Sequence, residues 1–348
     1  MVRLNFAVKS WVGYQWYLFK RRRLYSRVTR IDGERGFCAI GDKRAVSHFS
    51  RYWLGSGPRL RIRPGITFQG GAKLMDRMVS RYGIVVASSD VAAKCSVGIE
   101  LAWPRLVELT LPLASSWERF RSELSKSAVS DLQLVRRHNY ERKVVSDESR
   151  VLAFHRSHYA PSMREMHGDD AYIFSQSSML EIFRGTGEMI EVWRDNRWVA
   201  SFIYKFEKKA VTLCALGWIN GDRDERQHGV VSALYVFAIQ RAYELGAVAI
   251  NFGGVPPYLE DGLVFYKTKW GAQLAPEKMR DRVWRVVIDP DHEACRDFFR
   301  QYSLLVRSPE ADRFDVLSER PRDQVPVAKK LGAGIREWMN LDRLKSRS

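Results

Sequence analysis

The stretch AINFGGVPPYLEDGLVFYKTKWGAQL, residues 249–274, joins an apolar strand-like run to two glycines, two prolines, an acidic turn and a short basic segment. Clusters of Gly and Pro interrupt regular structure, so the stretch predicts a strand that ends near Phe252 and a short helix that ends at Gly271. In α/β proteins, ligands bind in crevices at the carboxyl ends of such strands. The stretch is therefore the candidate ligand site of the chain.

The composition indicates a globular protein. At 348 residues, 45% hydrophobic and 28% charged, the chain is long enough for two ordinary domains. Its four cysteines form no CxxC pair, which argues against a zinc site or a disulfide framework and favours a reducing compartment. The apolar run at residues 10–19 lacks a signal-peptide cleavage site and has about half the length of a membrane-spanning helix. These features predict a cytoplasmic protein without a metal site or a transmembrane segment.

The net charge of +17 is concentrated in the first part of the chain. Residues 1–150 hold 28 Lys and Arg against 13 Asp and Glu, whereas the remaining residues hold 29 against 27. This asymmetry indicates a polyanionic partner, such as nucleic acid, an anionic lipid headgroup or a pyrophosphate-linked lipid. The alternative is a solvated basic surface that serves solubility.

Basic residues in this first part supply candidate phosphate contacts. One group shares a face of a predicted strand by the period-two rule, and a second group lies near the end of a predicted helix. The candidates are Arg59, Arg61 and Arg63 in the strand, and Arg136 and Arg137 near the helix end. Alternatively, the three strand arginines simply lie on the solvent-exposed face of a sheet. The aromatic and basic segment at residues 1–27 predicts core packing, with peripheral membrane contact as the alternative.

The second part of the chain shows a clear order of predicted elements. Three strands follow one another, separated by tight turns at Asp195-Asn196 and Lys208-Lys209. A helix with apolar residues at helical spacing begins after Gly229 and is stopped by Gly246. The predicted strands are 188–194, 198–206, 210–218, 247–252 and 282–289.

This order resembles the GNAT acyltransferase fold. More narrowly, NFGGVPPY…GLVFYKTKWG resembles the Fem family of peptidoglycan aminoacyltransferases and related GNAT proteins associated with polysaccharide and envelope genes. That family has an aromatic-Gly-Gly strand end followed by an aromatic-Lys-x-x-aromatic-Gly helix. The matching residues are Phe252, Gly253 and Gly254 for the first motif and Tyr266, Lys267, Trp270 and Gly271 for the second.

The resemblance covers about residues 110–290 and implies an α/β (α+β) protein with tandem GNAT-like domains. Each would be a mixed, mostly antiparallel sheet flanked by helices. The implied domains are a degenerate, basic one at 1–110 and the acyltransferase domain at 111–290, with a helical extension at 291–348. At the boundary, Ser115 and Glu118 form a capping box that predicts a helix start, and a second helix is predicted at about 147–166.

The resemblance implies direct transfer of an acyl or aminoacyl group to an amine of a cell-envelope or polysaccharide precursor, with no permanently bound cofactor. Arg226 and Gly229 match part of the donor's phosphate-binding loop, but Val231 stands where Gly or Ala is typical. Together with the basic first part, this departure favours aminoacyl-tRNA over acyl-CoA as the donor. Asn251 stands where the family often has an acid, which excludes a carboxylate at that position. The implied location is the cytoplasm, or its face of the inner membrane.

Lys267 and Tyr266 are the candidate catalytic residues. Lys267 is placed to hold a phosphate or the carbonyl oxygen that becomes charged in the transition state, and Tyr266 to protonate the leaving group. The alternatives are a solvated helix lysine and a core tyrosine.

The residues around this pair are candidates for substrate binding. Gly253 and Gly254 are predicted to let the backbone approach a substrate closely. The loop residues Tyr258, Glu260 and Asp261 are candidates for orienting the acceptor amine, and an ordinary polar turn is the alternative.

A second class of function remains open at this point. A chain that kept the fold and the basic charge but lost the chemistry would be a non-catalytic nucleic-acid-binding protein. No Ser-His-Asp or Cys-His pattern indicates a nucleophile. His155 and His158, with His167, Asp169 and Asp170 further along, match no metal-site motif, and satisfied or solvent-facing histidines are the simpler interpretation.

Overall fold

The structure is a computed structural model that describes residues 24–31, 35–41, 60–66, 71–88, 95–168, 171, 173–275, 283–308 and 313–346. Arg59, residues 1–23 and the pair Asp169-Asp170 lie outside the described residues. Three β-sheets are flanked by helices, so the chain has the mixed α/β architecture that the sequence predicts. Among the described helices, none combines the length and the apolar character needed to span a membrane.

The elements are numbered in chain order. The strands are β1 Leu24–Ile31, β2 Arg35–Gly41, β3 Leu60–Ile66, β4 Ile84–Ser88, β5 Ile99–Pro104, β6 Val107–Pro112, β7 Glu141–Val145, β8 Gly187–Arg194, β9 Arg197–Glu207, β10 Ala210–Trp218, β11 Ala249–Val255, β12 Gln273–Leu274, β13 Val283–Ile288, β14 Leu304–Arg307, β15 Phe314–Leu317 and β16 Ile335–Met339. The helices are α1 Gly71–Tyr82, α2 Trp117–Ser122, α3 Lys126–Arg137, α4 Glu148–Phe154, α5 Ala160–His167, α6 Gln176–Arg184, α7 Arg223–Gln227, α8 Val230–Glu244, α9 Gly262–Thr268, α10 Glu293–Gln301 and α11 Leu341–Lys345.

The second sheet holds the predicted strand order. Its seven strands run β12-β6-β11-β10-β9-β8-β7, which confirms the predicted strands at 188–194, 198–206, 210–218 and 247–252 in a single sheet. Both predicted turns have positive φ at their two central residues, Asp195-Asn196 and Lys208-Lys209. That conformation matches the right-handed twist of the strands that it joins. Gly229 and Gly246, both with positive φ, flank α8 as predicted.

The second sheet is covered on both faces because its strands alternate. Phe202 and Tyr204 of β9 pack in the cluster that contains α8, whereas Ile203 packs with Val151 and Tyr159 on the other face. Side chains of successive strand residues point to opposite faces, so one strand serves two cores. The sheet is thus held between α8 with α3 and the helical segment from α4 to α6.

The last predicted strand belongs elsewhere. β13 lies in the first sheet, whose order is β3-β1-β2-β4-β13-β5, and not in the second sheet with the other predicted strands. Val286 pairs with Val86 on one side and Leu101 on the other. The apolar pattern predicts the strand correctly, but it does not indicate that β4 and β5 are its partners.

The segment after residue 290 is not simply helical. Besides α10 and α11 it forms a third sheet, β14-β15-β16. This segment contacts the loop after β11, because Leu305 N–H donates to Pro257 O at 2.9 Å and Leu259 N–H to Ser303 O at 3.0 Å. An ion pair between Arg320 and Glu260 adds a side-chain contact at 3.0 Å.

Two predicted helices differ in detail from the observed ones. Ser116, and not Ser115, caps α2 by accepting from Arg119 N–H, and a new cap at Ser125 starts α3. The helix predicted at 147–166 is interrupted by a π-helical turn, His155–Tyr159, between α4 and α5. This turn packs on Gly217 of β10, where an added Cβ would lie 2.6 Å from Tyr159 Cα.

Gly217→Ala is expected to destabilise the fold by about 1–3 kcal/mol, because the new methyl group meets rigid backbone and overpacks the contact. Gly262→Ala is the matched control, since an added Cβ there meets no atom within 4 Å. Urea unfolding of both variants measures the difference. Equal midpoints for Gly217→Ala and the wild type would contradict the described packing of the π-helical turn.

Candidate functional site

The parallel ladder between β10 and β11 is short. It runs from Ala210 paired with Ala249 to Thr212 paired with Asn251 and then stops, although β10 continues to Trp218 and β11 to Val255. On its other side β11 pairs with β6, with a register shift between Asn251 and Gly254. Neighbouring parallel strands that stop pairing leave a crevice at their carboxyl ends, which is where α/β folds bind ligands. The quoted stretch lies at this crevice.

The two glycines at the end of β11 serve different purposes. Gly253 has a φ of +78°, and an added Cβ would have only Leu213 O within 4 Å, at 3.7 Å. An added Cβ on Gly254 would instead lie 3.0 Å from Leu106 Cδ1. The open side of Gly253 fits the predicted close approach of a substrate, whereas Gly254 is covered by Leu106.

Lys267 is buried, with 4% of its surface exposed. It belongs to α9, and its Nζ donates to Gly253 O and Gly254 O, both at 3.1 Å. An ammonium group has three N–H bonds, so one remains without a partner among the residues that the structure describes. This burial and these two hydrogen bonds rule out a solvated helix lysine and place the amine at the carboxyl end of β11.

Burial lowers the pKa of Lys267 to about 7, and the nearby charges of Asp261 and Glu108 oppose that shift. An ammonium group removed from water loses its hydration, which favours the neutral amine. Lys267 therefore changes its charge near neutral pH.

Glu108 is a site residue that the sequence analysis missed. It lies on β6 opposite Gly254, and its Oε2 accepts from Asn251 Nδ2 at 2.8 Å. Asn251 Oδ1 in turn accepts from Gly253 N–H at 2.8 Å. The one available signal was an acid within the otherwise uncharged strand VELTLP.

Tyr266 belongs to a polar network between three helices. Its hydroxyl lies 3.3 Å from Ser232 Oγ, which donates to Asp131 Oδ2 at 2.8 Å. Lys269 forms an ion pair with the same carboxylate, and its Nζ lies 3.7 Å from the centre of the Tyr266 ring. Burial raises the pKa of Tyr266, which keeps the phenol protonated. The ring also packs edge-on against Tyr235.

The three loop candidates are engaged with the fold. Tyr258 is buried and packs edge-on against Trp103, with ring centres 5.4 Å apart. Glu260 pairs with Arg320, and Asp261 caps α9 through its side chain. These contacts fit the alternative of a structural turn, and a role toward an acceptor stays a prediction.

The end of α3 meets the start of α8. An added Cβ on Gly229 would lie 2.5 Å from Leu134 Cδ2, and the rings of His138 and His228 are 5.1 Å apart. The first turn of α8 has no side-chain cap, so its N–H groups and the helix dipole favour an anion. The predicted phosphate contacts at this junction, all exposed, are Arg136, Arg137 and Arg226.

Two of the remaining arginines lie on a different sheet. Arg61 and Arg63 lie on β3, the edge strand of the first sheet, and Arg59 falls outside the described residues. The candidate site is on the second sheet. Their predicted contact with phosphate stays a prediction.

His158 is a satisfied core histidine. It is 1% exposed, with Nδ1 2.8 Å from Ser157 Oγ and Nε2 3.3 Å from Trp198 O. Burial lowers its pKa to about 4, so it is neutral at physiological pH. Within the described part of the chain, no group of three or more His, Cys, Asp and Glu side chains is arranged to hold a metal ion.

No family model and no curated protein matches this chain. Similar solved structures include FemX, with 13% identity, a TM-score of 0.39 and coverage of 74% of this chain and 82% of its own. L-PGS from Bacillus licheniformis has 13% identity, a TM-score of 0.34 and coverage of 77% and 82%. A GCN5-related N-acetyltransferase from Kribbella flavida has 13% identity, a TM-score of 0.31 and coverage of 78% and 90%.

The groups that the sequence resemblance names are thus represented among the similar structures. All three TM-scores lie below 0.5, so the likenesses support no inference about the site or its chemistry.

Lys267 is expected to make stability depend on pH. Its pKa is about 7 when folded, whereas an unfolded lysine titrates near its ordinary value of about 10.4. Between these two pKa values the unfolded state binds more protons than the folded state, so the stability of the fold rises with pH. Below this window the full cost of burying the charged ammonium is present. In Lys267→Met this rise disappears. The unfolding free energy of Lys267→Met minus that of the wild type should therefore be larger at about pH 6 than at about pH 9.5.

Urea unfolding at both pH values measures this difference. Lys126→Met removes an exposed lysine at the start of α3 and controls for loss of a positive charge. A Lys267→Met difference as flat with pH as that of the control would show that Lys267 is not held in a desolvated site.

Proposed function

We propose that this chain is a direct acyltransferase that moves an acyl or aminoacyl group from a donor to a primary amine. The observation that supports this most is Lys267, a buried cation fixed by two backbone carbonyls at the end of an opened pair of strands. A structural lysine would be expected to use all of its N–H bonds within the fold. Here Lys267 has two hydrogen-bond partners among the described residues, both backbone carbonyls of β11.

Lys267 supplies the electrostatic part of the chemistry. When an amine attacks an acyl carbon, negative charge develops on the carbonyl oxygen of the donor. A preorganised donor in a site without water stabilises that charge, and removing one such donor costs about a hundredfold to a thousandfold in rate. The two glycine carbonyls fix the ammonium, so no reorganisation is needed when the charge forms.

Tyr266 supplies the proton for the leaving group. The raised pKa keeps its hydroxyl protonated, and the network of Ser232, Asp131 and Lys269 holds the side chain in place. A phenol is a general acid suited to a basic leaving group, such as the alkoxide of an ester. This chemistry favours an oxygen ester as the donor.

The donor that fits these features is aminoacyl-tRNA, with acyl-CoA as the second candidate. Exposed arginines lie near the uncapped start of α8 in the chain or across its contact with α3, namely Arg226 before Gly229 and Arg136 and Arg137 at the end of α3, and helix starts bind phosphates through backbone N–H groups. The net charge of +17 supports a large polyanion. The acceptor that we propose is an amine of an envelope or polysaccharide precursor, met in the cytoplasm or at its membrane face.

Discharge of labelled donors tests the function. Wild-type protein is incubated with aminoacyl-tRNA, acetyl-CoA or a longer acyl-CoA and an amine acceptor. We expect aminoacyl-tRNA to be discharged and Lys267→Met to slow that discharge by about tenfold to a thousandfold, because the methionine keeps the stem but cannot stabilise the oxyanion. Lys126→Met should leave the rate unchanged. Tight tRNA binding without discharge of any donor would instead identify a non-catalytic nucleic-acid-binding protein.

Arg136 and Arg137, at the end of α3, are expected to control the salt dependence of tRNA binding. Each lost phosphate contact flattens the slope of log K against log salt by about 0.7–0.9, so Arg136→Gln with Arg137→Gln should reduce it by about 1.5. Arg119→Gln with Arg121→Gln, two exposed arginines of α2, is the control. Binding measured by fluorescence anisotropy at several salt concentrations gives both slopes. Equal slopes in the two double variants would place the polyanion elsewhere.

A further inference from the structure

A carboxylate reaches the end of β11 from the neighbouring strand. Asn251 cannot supply one, but the register shift between β11 and β6 brings Glu108 within 2.8 Å of its amide nitrogen. The amide orientation is fixed, because Asn251 Oδ1 accepts from Gly253 N–H and only the NH₂ group is left to face Glu108. Glu108 Oε2 is therefore an acceptor for the amide N–H of Asn251.

Only one oxygen of this carboxylate is occupied. Oε2 accepts from Asn251, whereas Oε1 has no hydrogen-bond partner among the described residues, and the side chain is neither fully buried nor fully exposed. Lys267 does not form an ion pair with it in the described part of the chain, because the lysine is held on the carbonyls of Gly253 and Gly254. The end of β11 thus has a carboxylate oxygen and an ammonium N–H that lack hydrogen-bond partners among the described residues.

We propose that Glu108 binds the amine of the acceptor and accepts its proton, with Asn251 as the positioning residue that holds the carboxylate. This inference rests on the proposed acyl transfer and assigns the acceptor side of the same site. The acceptor class that it implies is a primary amine that arrives as a cation, because an ammonium group is what a free carboxylate oxygen recognises.

The step balances as follows in this geometry. The acceptor gives one proton to solvent on entering the site and its nitrogen then bonds to the acyl carbon. The bond from that carbon to the donor oxygen breaks, and its electron pair stays on the oxygen. The nitrogen loses a second proton to Glu108 Oε1, and the oxygen takes one from Tyr266. Water then removes the proton from Glu108 and restores that of Tyr266.

Exchanging the two side chains tests the proposal. Glu108→Gln keeps the shape but removes the base, and should lower kcat/KM for the probe amine glycinamide by about a hundredfold or more. Asn251→Asp combined with Glu108→Gln returns a carboxylate to the same place from the other strand. The kcat/KM of this double variant should be at least about tenfold higher than that of Glu108→Gln alone. A purely structural role for Glu108 would not produce this recovery.

The pH profile gives a second readout. Asn251→Asp alone sets two carboxyl groups together, so the acid limb of kcat/KM should move to higher pH, because like charges raise the pKa of one member. Glu100→Gln, which alters a strand carboxylate paired with Arg285 in the first sheet, is the control and should change neither value.

These experiments distinguish failure of the role of Glu108 from failure of the proposed acyl transfer. If Glu108→Gln remains folded by urea unfolding and keeps kcat/KM within about threefold of an active wild type, the role of Glu108 is overturned while acyl transfer stands. A double variant no more active than Glu108→Gln alone overturns it as well. If the wild type discharges no donor with any amine, the proposed function fails and this inference fails with it.

Discussion

The buried ammonium of Lys267 is the constraint on which the arrangement of the site depends. Taking such a charge out of water costs several kcal/mol unless hydrogen-bond acceptors replace the water. Here the acceptors are the carbonyls of Gly253 and Gly254, which face one point because Gly253 adopts a positive φ. A side chain at Gly253 would strain that conformation. The strand end, the glycine and the start of α9 therefore have to be in place together.

The segment after residue 290 belongs to this same arrangement. Glu260, one residue before the cap of α9, accepts from Ser303 N–H at 2.9 Å and pairs with Arg320. Both contacts fix the loop that leads from the glycine carbonyls to Lys267. The third sheet thus supports the site from outside the second sheet.

The parts of the fold that the sequence predicts are those set by local signals. The two hairpins follow from residues that tolerate positive φ, and the bounds of α8 follow from glycines at its ends. Partners distant in the sequence could not be predicted in this way. The pattern of Val283–Ile288 indicates a strand, but nothing within it says that β4 and β5 are its neighbours. The strands after residue 290 were missed because each has only four or five residues.

The candidate site shows the same division. Lys267 is found from a local motif, because its partners lie 13 and 14 residues away on the preceding strand. Glu108 is 143 residues from Asn251 in the sequence. Its position beside Asn251 depends on the register shift in the pairing of β11 with β6. Position 251 alone therefore does not reveal that a neighbouring strand places a carboxylate beside it. A site on a sheet has to be interpreted across its strands.

A lysine fits the geometry at position 267 better than an arginine would. An ammonium is a compact charge with three N–H bonds in a tetrahedral arrangement, whereas a guanidinium is a planar fork that stays charged. Two adjacent carbonyls on one strand fit two bonds of the tetrahedron and direct the third away from the strand. Because its pKa is about 7, Lys267 is only partly charged at neutral pH before a ligand arrives. An oxyanion or a phosphate at the third bond favours the charged form, so binding of the anion and protonation of the lysine reinforce each other.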